Sequence, residues 1–347
     1  MSTITIINGK SLSLTLIPEQ SSPTRSLSRR EGTLLIIMLI TVFTPTYNRA
    51  HLLPRVYESL CKQTCRNFEW VIVDDGSVDD TKSLSLTLIP EQSSPTRSLS
   101  RREGTFFPIR YFRQENGGKH RAINRGVKEA QGELFLILDS DDTLPERSLE
   151  IINHYYQQIK DDASFGGVCG YMAHHDGTVI GHGCDVPVLD TNSIDLRYKY
   201  HVVGDMLEVF RTAVLREIPF PDIEGEKFVP EALVWNRIAR KYKLRVFHEV
   251  VYYRDYLDGG LTDKIVKIRM TSPIASMMTY AELNSYDIPF MSKVKAAINY
   301  WRFRCCVAPS QPPPVWEASV PKLKWWWNWV MPIGRIMHIL DVHKSKS

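Results

Sequence analysis

Three short runs in this chain carry side chains suited to ligand chemistry: Asp74-Asp75-Gly76-Ser77, Asn116-Gly117-Gly118-Lys119-His120 and Asp139-Ser140-Asp141-Asp142. Carboxylates crowded at one place repel and raise one another's pKa, so they need solvent or a cation beside them. Asp139-Ser140-Asp141 lets two carboxylates project to one side of an extended turn. A few hard oxygen ligands of that kind suit Mg²⁺ or Mn²⁺ that also holds a substrate diphosphate. A solvated acidic turn accounts for the same residues, and Asp142, ahead of Thr143-Leu144-Pro145, has the residue type of a helix N-cap. Gly117 and Gly118 permit close backbone approach, and a helix opening with Lys119, His120 and Arg121 favours an anion such as phosphate. A plain loop-to-helix start is the alternative there, and neither a P-loop nor a dinucleotide-binding glycine pattern occurs.

These runs need elements to hold them. Leu39–Thr44 and Phe68–Val73 are apolar and β-branched without polar alternation, as in strands of a parallel sheet buried on both faces. Ile109–Phe112 and Glu133–Leu138 read as further strands. Leu52–Cys65, Lys119–Ala130 and Leu144–Lys160 read as helices between them. Strands alternating with helices predict an α/β fold with a mostly parallel sheet. Ligands bind such sheets at the carboxyl ends of the strands. Tyr47, Asp74, Asp75, Asp139, Asp141 and Asp142 all follow strands, so they are expected to converge on one crevice.

The runs TVFTPTYNRAHLLPRVYESL, FEWVIVDDGSVDDT and QENGGKHRAINRGVKEAQGELFLILDSDD, in that order, resemble a family 2 glycosyltransferase of the GT-A fold. The resemblance covers roughly residues 38–81 and 106–258. It implies transfer of a sugar from a nucleotide-diphosphate sugar, with inversion and a divalent metal, Mn²⁺ or Mg²⁺. It implies that Tyr47 lines the nucleotide base, Asp75 bonds the base, Asp139 holds the ribose and Asp141 binds the metal, with Asp74, Lys119 and His120 along the nucleotide or diphosphate. The later run GDMLEVFRTAVLREIPFPDIEGEKFVPEALVWNRIA resembles a subgroup of the same family, with Glu231 in the place of the catalytic base. Glu224 and Glu226 stay open as neighbouring candidates, and a first-turn glutamate complementing a helix dipole also accounts for Glu231. Asp205 is expected toward the acceptor side.

One feature departs from that family. Residues 10–33 and 82–105 are identical, KSLSLTLIPEQSSPTRSLSRREGT, and two exact copies point to a recent duplication rather than a solenoid. Both copies, with their prolines and serines, are expected to be surface loop or disorder. The second copy occupies the interval where the family has a helix packed on the sheet. The rival reading is therefore a degenerate, non-catalytic nucleotide-sugar binder.

The expected organisation is an extension over 1–37, a GT-A domain over 38–260 interrupted by 82–105, and a helical Trp/Lys-rich region over 261–347. A net charge of +4, from 43 basic and 39 acidic residues, gives no argument for nucleic acid. Six cysteines at 61, 65, 169, 184, 305 and 306 read as free thiols of a reducing compartment. No signal peptide or spanning segment is visible, so a cytoplasmic protein is expected, with peripheral contact at the inner face of the plasma membrane as an option. His174-His175-Asp176-Gly177 reads as a turn rather than a metal cluster. Met291–Cys306 reads as a helix. Lys322–Trp329 mixes lysine with four tryptophans, which suits either a membrane interface or packing on the catalytic domain. The acceptor expected from the family is a glycan or a lipid-linked hydroxyl in cell-surface polysaccharide synthesis.

Overall fold

The computed structural model describes residues 27–30, 33–36, 39–88, 107–183, 186–254, 265–307 and 323–344. The chain divides into two units, Met1–Ile37 and Met38–Ser347. In the first unit, β1 (Leu27–Arg30) pairs antiparallel with β2 (Thr33–Ile36). Part of the first repeat copy is therefore strand rather than the loop expected from its composition.

The second unit is built on one eight-stranded sheet. Its strands are β3 (Ile40–Thr46), β4 (Phe68–Asp74), β5 (Ile109–Arg113), β6 (Leu134–Ile137), β7 (Phe165–Ala173), β8 (Val188–Thr191), β9 (Met206–Arg211) and β10 (Lys243–Tyr253). Their order is β5-β4-β3-β6-β9-β7-β10-β8. The run β5-β4-β3-β6 is parallel throughout. Then β9 lies antiparallel to both β6 and β7, β10 runs parallel to β7, and β8 closes the edge antiparallel to β10. Every residue of β3 and β4 is buried, as expected for strands without alternation.

The helices are α1 (Leu53–Cys61), α2 (Thr81–Leu88), α3 (Lys119–Glu129), α4 (Ser148–Gln157), α5 (Ser193–Tyr198), α6 (Thr212–Glu217), α7 (Glu231–Ala239), α8 (Ile265–Thr271), α9 (Pro273–Leu283), α10 (Phe290–Arg304) and α11 (Trp327–Lys344). They cover both faces of the sheet. Leu53, Val56 and Leu60 of α1 join Leu149 and Ile152 of α4 over Trp70, Leu136 and Val168. On the other face, Ala122, Ile123 and Val127 of α3 and Leu233, Val234 and Ile238 of α7 pack on Phe43, Phe135 and Phe210. A third cluster joins α9, α10 and α11 around Met277, Tyr300, Phe303 and Trp327.

Charge is also buried within the parallel strands. Glu69 is fully buried and accepts from Thr41 Oγ1 at 2.7 Å and from the Gln131 N–H at 2.6 Å, while Arg110 stands 3.2 Å away. A buried carboxylate persists only with such partners.

The second repeat copy differs from the expectation in an informative way. Its first seven residues, Lys82–Leu88, lie in α2, and Leu84 and Leu88 pack against the sheet. A helix is thus present after β4, supplied by the repeat's own leucines at i and i+4. Residues 89–106, including the rest of the copy, lie outside the described residues, as do Cys184 and the expected boundary at 260. Helix α1 ends at Cys61, so Cys65 falls beyond the helix expected to include it.

The repeat packs imperfectly at one point. Ser85 of α2 is fully buried and its hydroxyl has no hydrogen-bond partner. An unsatisfied buried hydroxyl costs free energy, and alanine is the better helix former. Ser85→Ala is therefore expected to stabilise the chain by about 1 kcal/mol, read as a higher unfolding temperature; a lower one would contradict this account of α2.

Candidate active site

The carboxyl ends of β3, β4 and β6 meet the start of α3 and the start of α7. Asn48, just after β3, has φ 53°, a left-handed conformation that asparagine tolerates. Its N–H donates to Ser77 Oγ at 2.9 Å and its Oδ1 accepts from the Val78 N–H at 2.8 Å. These bonds tie the loop after β3 to the turn after β4. Tyr47 stands at that junction, 48% exposed.

Asp74 is fully buried. Its Oδ1 accepts from the Ser77 N–H at 2.8 Å, and its Oδ2 accepts from the Tyr111 hydroxyl at 2.6 Å. Asp75 is 5% exposed. Its Oδ1 accepts from Gln114 Nε2 at 2.8 Å and the Gly117 N–H at 2.9 Å, and its Oδ2 from the Gly118 N–H at 2.7 Å and Asn116 Nδ2 at 3.3 Å. One carboxylate thus organises the whole glycine turn that opens α3. Bonds from an ionised acceptor to N–H groups are among the stronger ones in proteins.

That turn approaches its neighbour closely. Gly118 has φ 96°, and a side-chain carbon there would stand 1.9 Å from the Lys227 carbonyl oxygen. Both observations require glycine. Arg121 stitches the same region together: it donates to Asp222 at 2.7 Å and to the carbonyls of Ile223 and Glu226, each at 2.8 Å. Lys227 Nζ donates to Asn116 Oδ1 at 2.7 Å. This loop delivers α7, whose first residue is Glu231.

Lys119 is where the site closes. Its Nζ lies 2.6 Å from Asp139 Oδ1 and 2.8 Å from Glu231 Oε1. Burial disfavours the ammonium, but the Asp139 and Glu231 carboxylates more than offset this and hold its pKa above the usual lysine value. The side chains of Lys119, Asp139 and Glu231 are each about a third exposed, so a ligand can reach them. Asp141 pairs with Arg49, and its carbonyl accepts from Arg55 Nη2 at 3.1 Å.

Asp142 is not a helix cap. It is 3% exposed and accepts from the Tyr252 hydroxyl at 2.7 Å, while α4 begins later, at Ser148. The same Tyr252 oxygen accepts from the Asp139 N–H at 3.1 Å, which fixes the acidic turn to β10. Glu226 is also committed elsewhere: its two carboxylate oxygens accept from the Ile274 and Ala275 N–H groups at 2.6 and 2.8 Å, capping α9. Of the three glutamates left open by the sequence, Glu231 stands in the crevice. Asp205 pairs with Arg254. His174-His175-Asp176-Gly177 is a turn, with the Gly177 N–H donating to the His174 carbonyl at 2.9 Å.

Among the described residues, no three His, Cys, Asp or Glu side chains gather to hold a metal ion. Residues that the sequence reading did not single out are Arg49, Tyr252 and Glu208, while Arg121, read there as a charge for an anion, holds backbone carbonyls instead. Burial pushes the Glu208 carboxyl, on β9, up to about 7; Arg197 opposes the rise, and Glu231 and Asp205 add to it. Only Arg49, directly after the Pro45–Asn48 turn, carried a positional signal.

His120 is 1% exposed, and neither ring nitrogen has a hydrogen-bond partner. Burial, with Arg121 beside it, pushes its pKa down to about 4 from an ordinary 6.5. The native state thus binds this proton less well than the unfolded chain. Stability from this residue is present above pH 6.5 and is lost as pH falls toward 4. Between those limits, His120→Phe is expected to flatten the fall in unfolding temperature relative to wild type; parallel curves would contradict a buried neutral imidazole.

Comparison with known proteins extends this geometry. The glycosyl transferase family 2 pattern matches residues 41–179, which hold β3, the glycine turn and Asp139-Ser140-Asp141. Glycosyltransferase GlyG of Streptococcus pneumoniae is 31% identical over 134 residues, 38% of this chain and 40% of that protein. A PGL/p-HBAD biosynthesis glycosyltransferase of Mycobacterium bovis is 34% identical over 108 residues, 31% of this chain and 37% of its own. The chain thus spans less than half the length of these relatives. Among solved structures, S. aureus TarS in complex with UDP superposes with TM-score 0.51 at 19% identity, over 77% of this chain and 71% of that one. The mannosyltransferase PcManGT from Pyrobaculum calidifontis, in complex with GDP-Man and Mn²⁺, does so with TM-score 0.50 at 17% identity, over 87% of each chain. At such identities these two likenesses establish the fold, a GT-A-like α/β sheet with helices C-terminal to it. Residues 41–179, less than half of this chain, are thus similar to glycosyl transferase family 2.

Proposed function

We propose that this protein transfers a sugar from a nucleoside diphosphate-sugar to a hydroxyl of a glycan or lipid-linked acceptor, with inversion at the anomeric carbon. The observation that carries this reading is the Lys119 ammonium held between Asp139, after β6, and Glu231, at the start of α7. It brings a solvent-accessible carboxylate to the sheet edge that the family pattern covers. That TarS is seen with UDP and PcManGT with GDP-Man supports a nucleotide-sugar donor of the same class here.

In this proposal Tyr47 borders the base, Asp139 takes the ribose hydroxyls and Lys119 faces the diphosphate. Glu231 accepts the proton of the acceptor hydroxyl. That oxygen forms its bond to the anomeric carbon from the face opposite the diphosphate. The bond from carbon to the diphosphate oxygen breaks, and the nucleoside diphosphate leaves with the electron pair. Lys119, relieved of Asp139 by the ribose, offsets the charge that develops on the leaving group. Asp74, Asp75 and His120 act as positioning residues, since their polar groups are buried and both carboxylates are filled by protein donors.

A divalent cation fits this donor set only in one form. The described residues provide no cage of three ligands, but Asp141 would be the one carboxylate to hold Mg²⁺ or Mn²⁺ beside a diphosphate, a low ligand count that suits these hard ions. When bound, such an ion supplies electrostatic stabilisation of the diphosphate. Arg49 pairs with Asp141 and would compete with such an ion for the same carboxylate.

Two substitutions test the assignment. Glu231→Gln is expected to lower kcat by at least about 100-fold while leaving donor affinity within a few-fold, because the general base is lost and the amide keeps its volume. Transfer at the wild-type rate would remove Glu231 from the role. Asp141→Asn is expected to abolish the dependence of donor affinity on Mn²⁺ in a calorimetric titration. Unchanged metal dependence would place the cation elsewhere. Donor binding by the wild-type chain without transfer to any acceptor would favour the non-catalytic reading.

A further inference from the structure

Helix α11 has two apolar faces. The inner one packs on α10: Trp327 is 2% exposed, its carbonyl accepts from Trp301 Nε1 at 2.8 Å, and Arg302 pairs with Asp341 at 2.5 Å. At Gly334 the helices come so close that a side-chain carbon would stand 2.7 Å from the Ile298 carbonyl oxygen. The outer face, together with the turn that leads into it, carries Trp325 (71% exposed), Trp329 (73%), Ile333, Ile336 and Leu340, all open to solvent. From Trp329 on, the spacing of four, three and four residues puts them on one stripe of a 3.6-residue helix, and Trp325 joins them from the turn before it. Trp325 and Trp329 stack edge to face, with ring centroids 5.1 Å apart.

A contiguous exposed stripe of this kind marks a docking surface. Its surroundings identify the partner. Helical geometry sets exposed Arg335 to one side of the stripe and exposed Lys344 to the other, and Lys324 precedes it. The one acidic residue of the helix, Asp341, faces inward and is neutralised by Arg302. Indole rings beside an aliphatic stripe, rimmed by cations, match the boundary between headgroups and acyl chains of an anionic bilayer. Among the described residues no helix is long and apolar enough to cross a membrane. We infer that α11 lies in the plane of an anionic lipid surface, with Trp325 and Trp329 inserted and Lys324, Arg335 and Lys344 against the headgroups.

This inference is independent of the crevice chemistry. It is tested by vesicle flotation of the full chain, with phosphatidylglycerol-containing vesicles against pure phosphatidylcholine. The chain is expected to float with the anionic vesicles and far less with the neutral ones. Trp325→Ala with Trp329→Ala is expected to lower the partition coefficient by roughly tenfold or more. Lys324→Glu and Arg335→Glu are each expected to lower it by at least about fivefold. Both tryptophans are exposed, so an unchanged unfolding temperature confirms that the variant is folded. No flotation by the wild type overturns the inference, as does flotation that the tryptophan substitutions leave intact. A wild type that binds no vesicles but dimerises in sedimentation velocity, and a double tryptophan variant that stays monomeric, overturn it in favour of a second copy as the occupant.

Discussion

The site depends on one ammonium group placed between two carboxylates that come from opposite sides of the crevice. Asp139 follows a central parallel strand, and Glu231 opens a helix some ninety residues later in the chain. Lys119 reaches both, at 2.6 and 2.8 Å. Without it, Asp139 and Glu231 would stand as two uncompensated carboxylates that repel each other, and Glu231 also adds to the rise in the pKa of Glu208. With it, one of those negative charges is offset until a ligand competes for one partner. A ligand that brings hydroxyls to Asp139 and an anion to Lys119 would change the charge balance at Glu231 through that one side chain.

The scaffold is arranged to place that side chain. Asp75 fixes the amides of Gly117 and Gly118, so the first turn of α3 has one orientation relative to β4. Arg121, two residues beyond Lys119, holds the carbonyls of Ile223 and Glu226 and so fixes the loop that leads into α7. Glu226 in turn caps α9 and extends the same framework into the C-terminal helices. Much of the polar character of these motifs therefore serves to hold backbone in place, and a smaller set of groups is left to meet a ligand.

That division explains what was legible in the sequence. Buried parallel strands announce themselves by unbroken apolar runs, and β3, β4, β5 and β6 fall within a residue or two of their expected limits. The convergence of their carboxyl ends follows from topology. Which acidic residue is structural does not, because it depends on donors far away in sequence: Tyr111 for Asp74, Gly117 and Gly118 for Asp75, Tyr252 for Asp142. The repeated segment was opaque for a related reason. Its serine and proline content suggests loop, yet Leu84 and Leu88 find an apolar surface beside the sheet and fold as helix against it. The tryptophans of the tail divide between two environments, Trp327 in a core and Trp325 and Trp329 in solvent, a distinction that residue type alone does not carry.

The account stands or falls on whether this crevice takes a nucleoside diphosphate. The most direct measurement is thermal unfolding of the full chain with Mn²⁺ and a panel of nucleoside diphosphates, run beside Asp139→Asn. A ligand that binds only the native state adds about 2.7 kcal/mol of stability at 100 times its dissociation constant. The account predicts that at least one nucleoside diphosphate raises the unfolding temperature of the wild type in a saturable way, and that Asp139→Asn loses most of the shift. A cooperative transition that none of the nucleotides moves would contradict it.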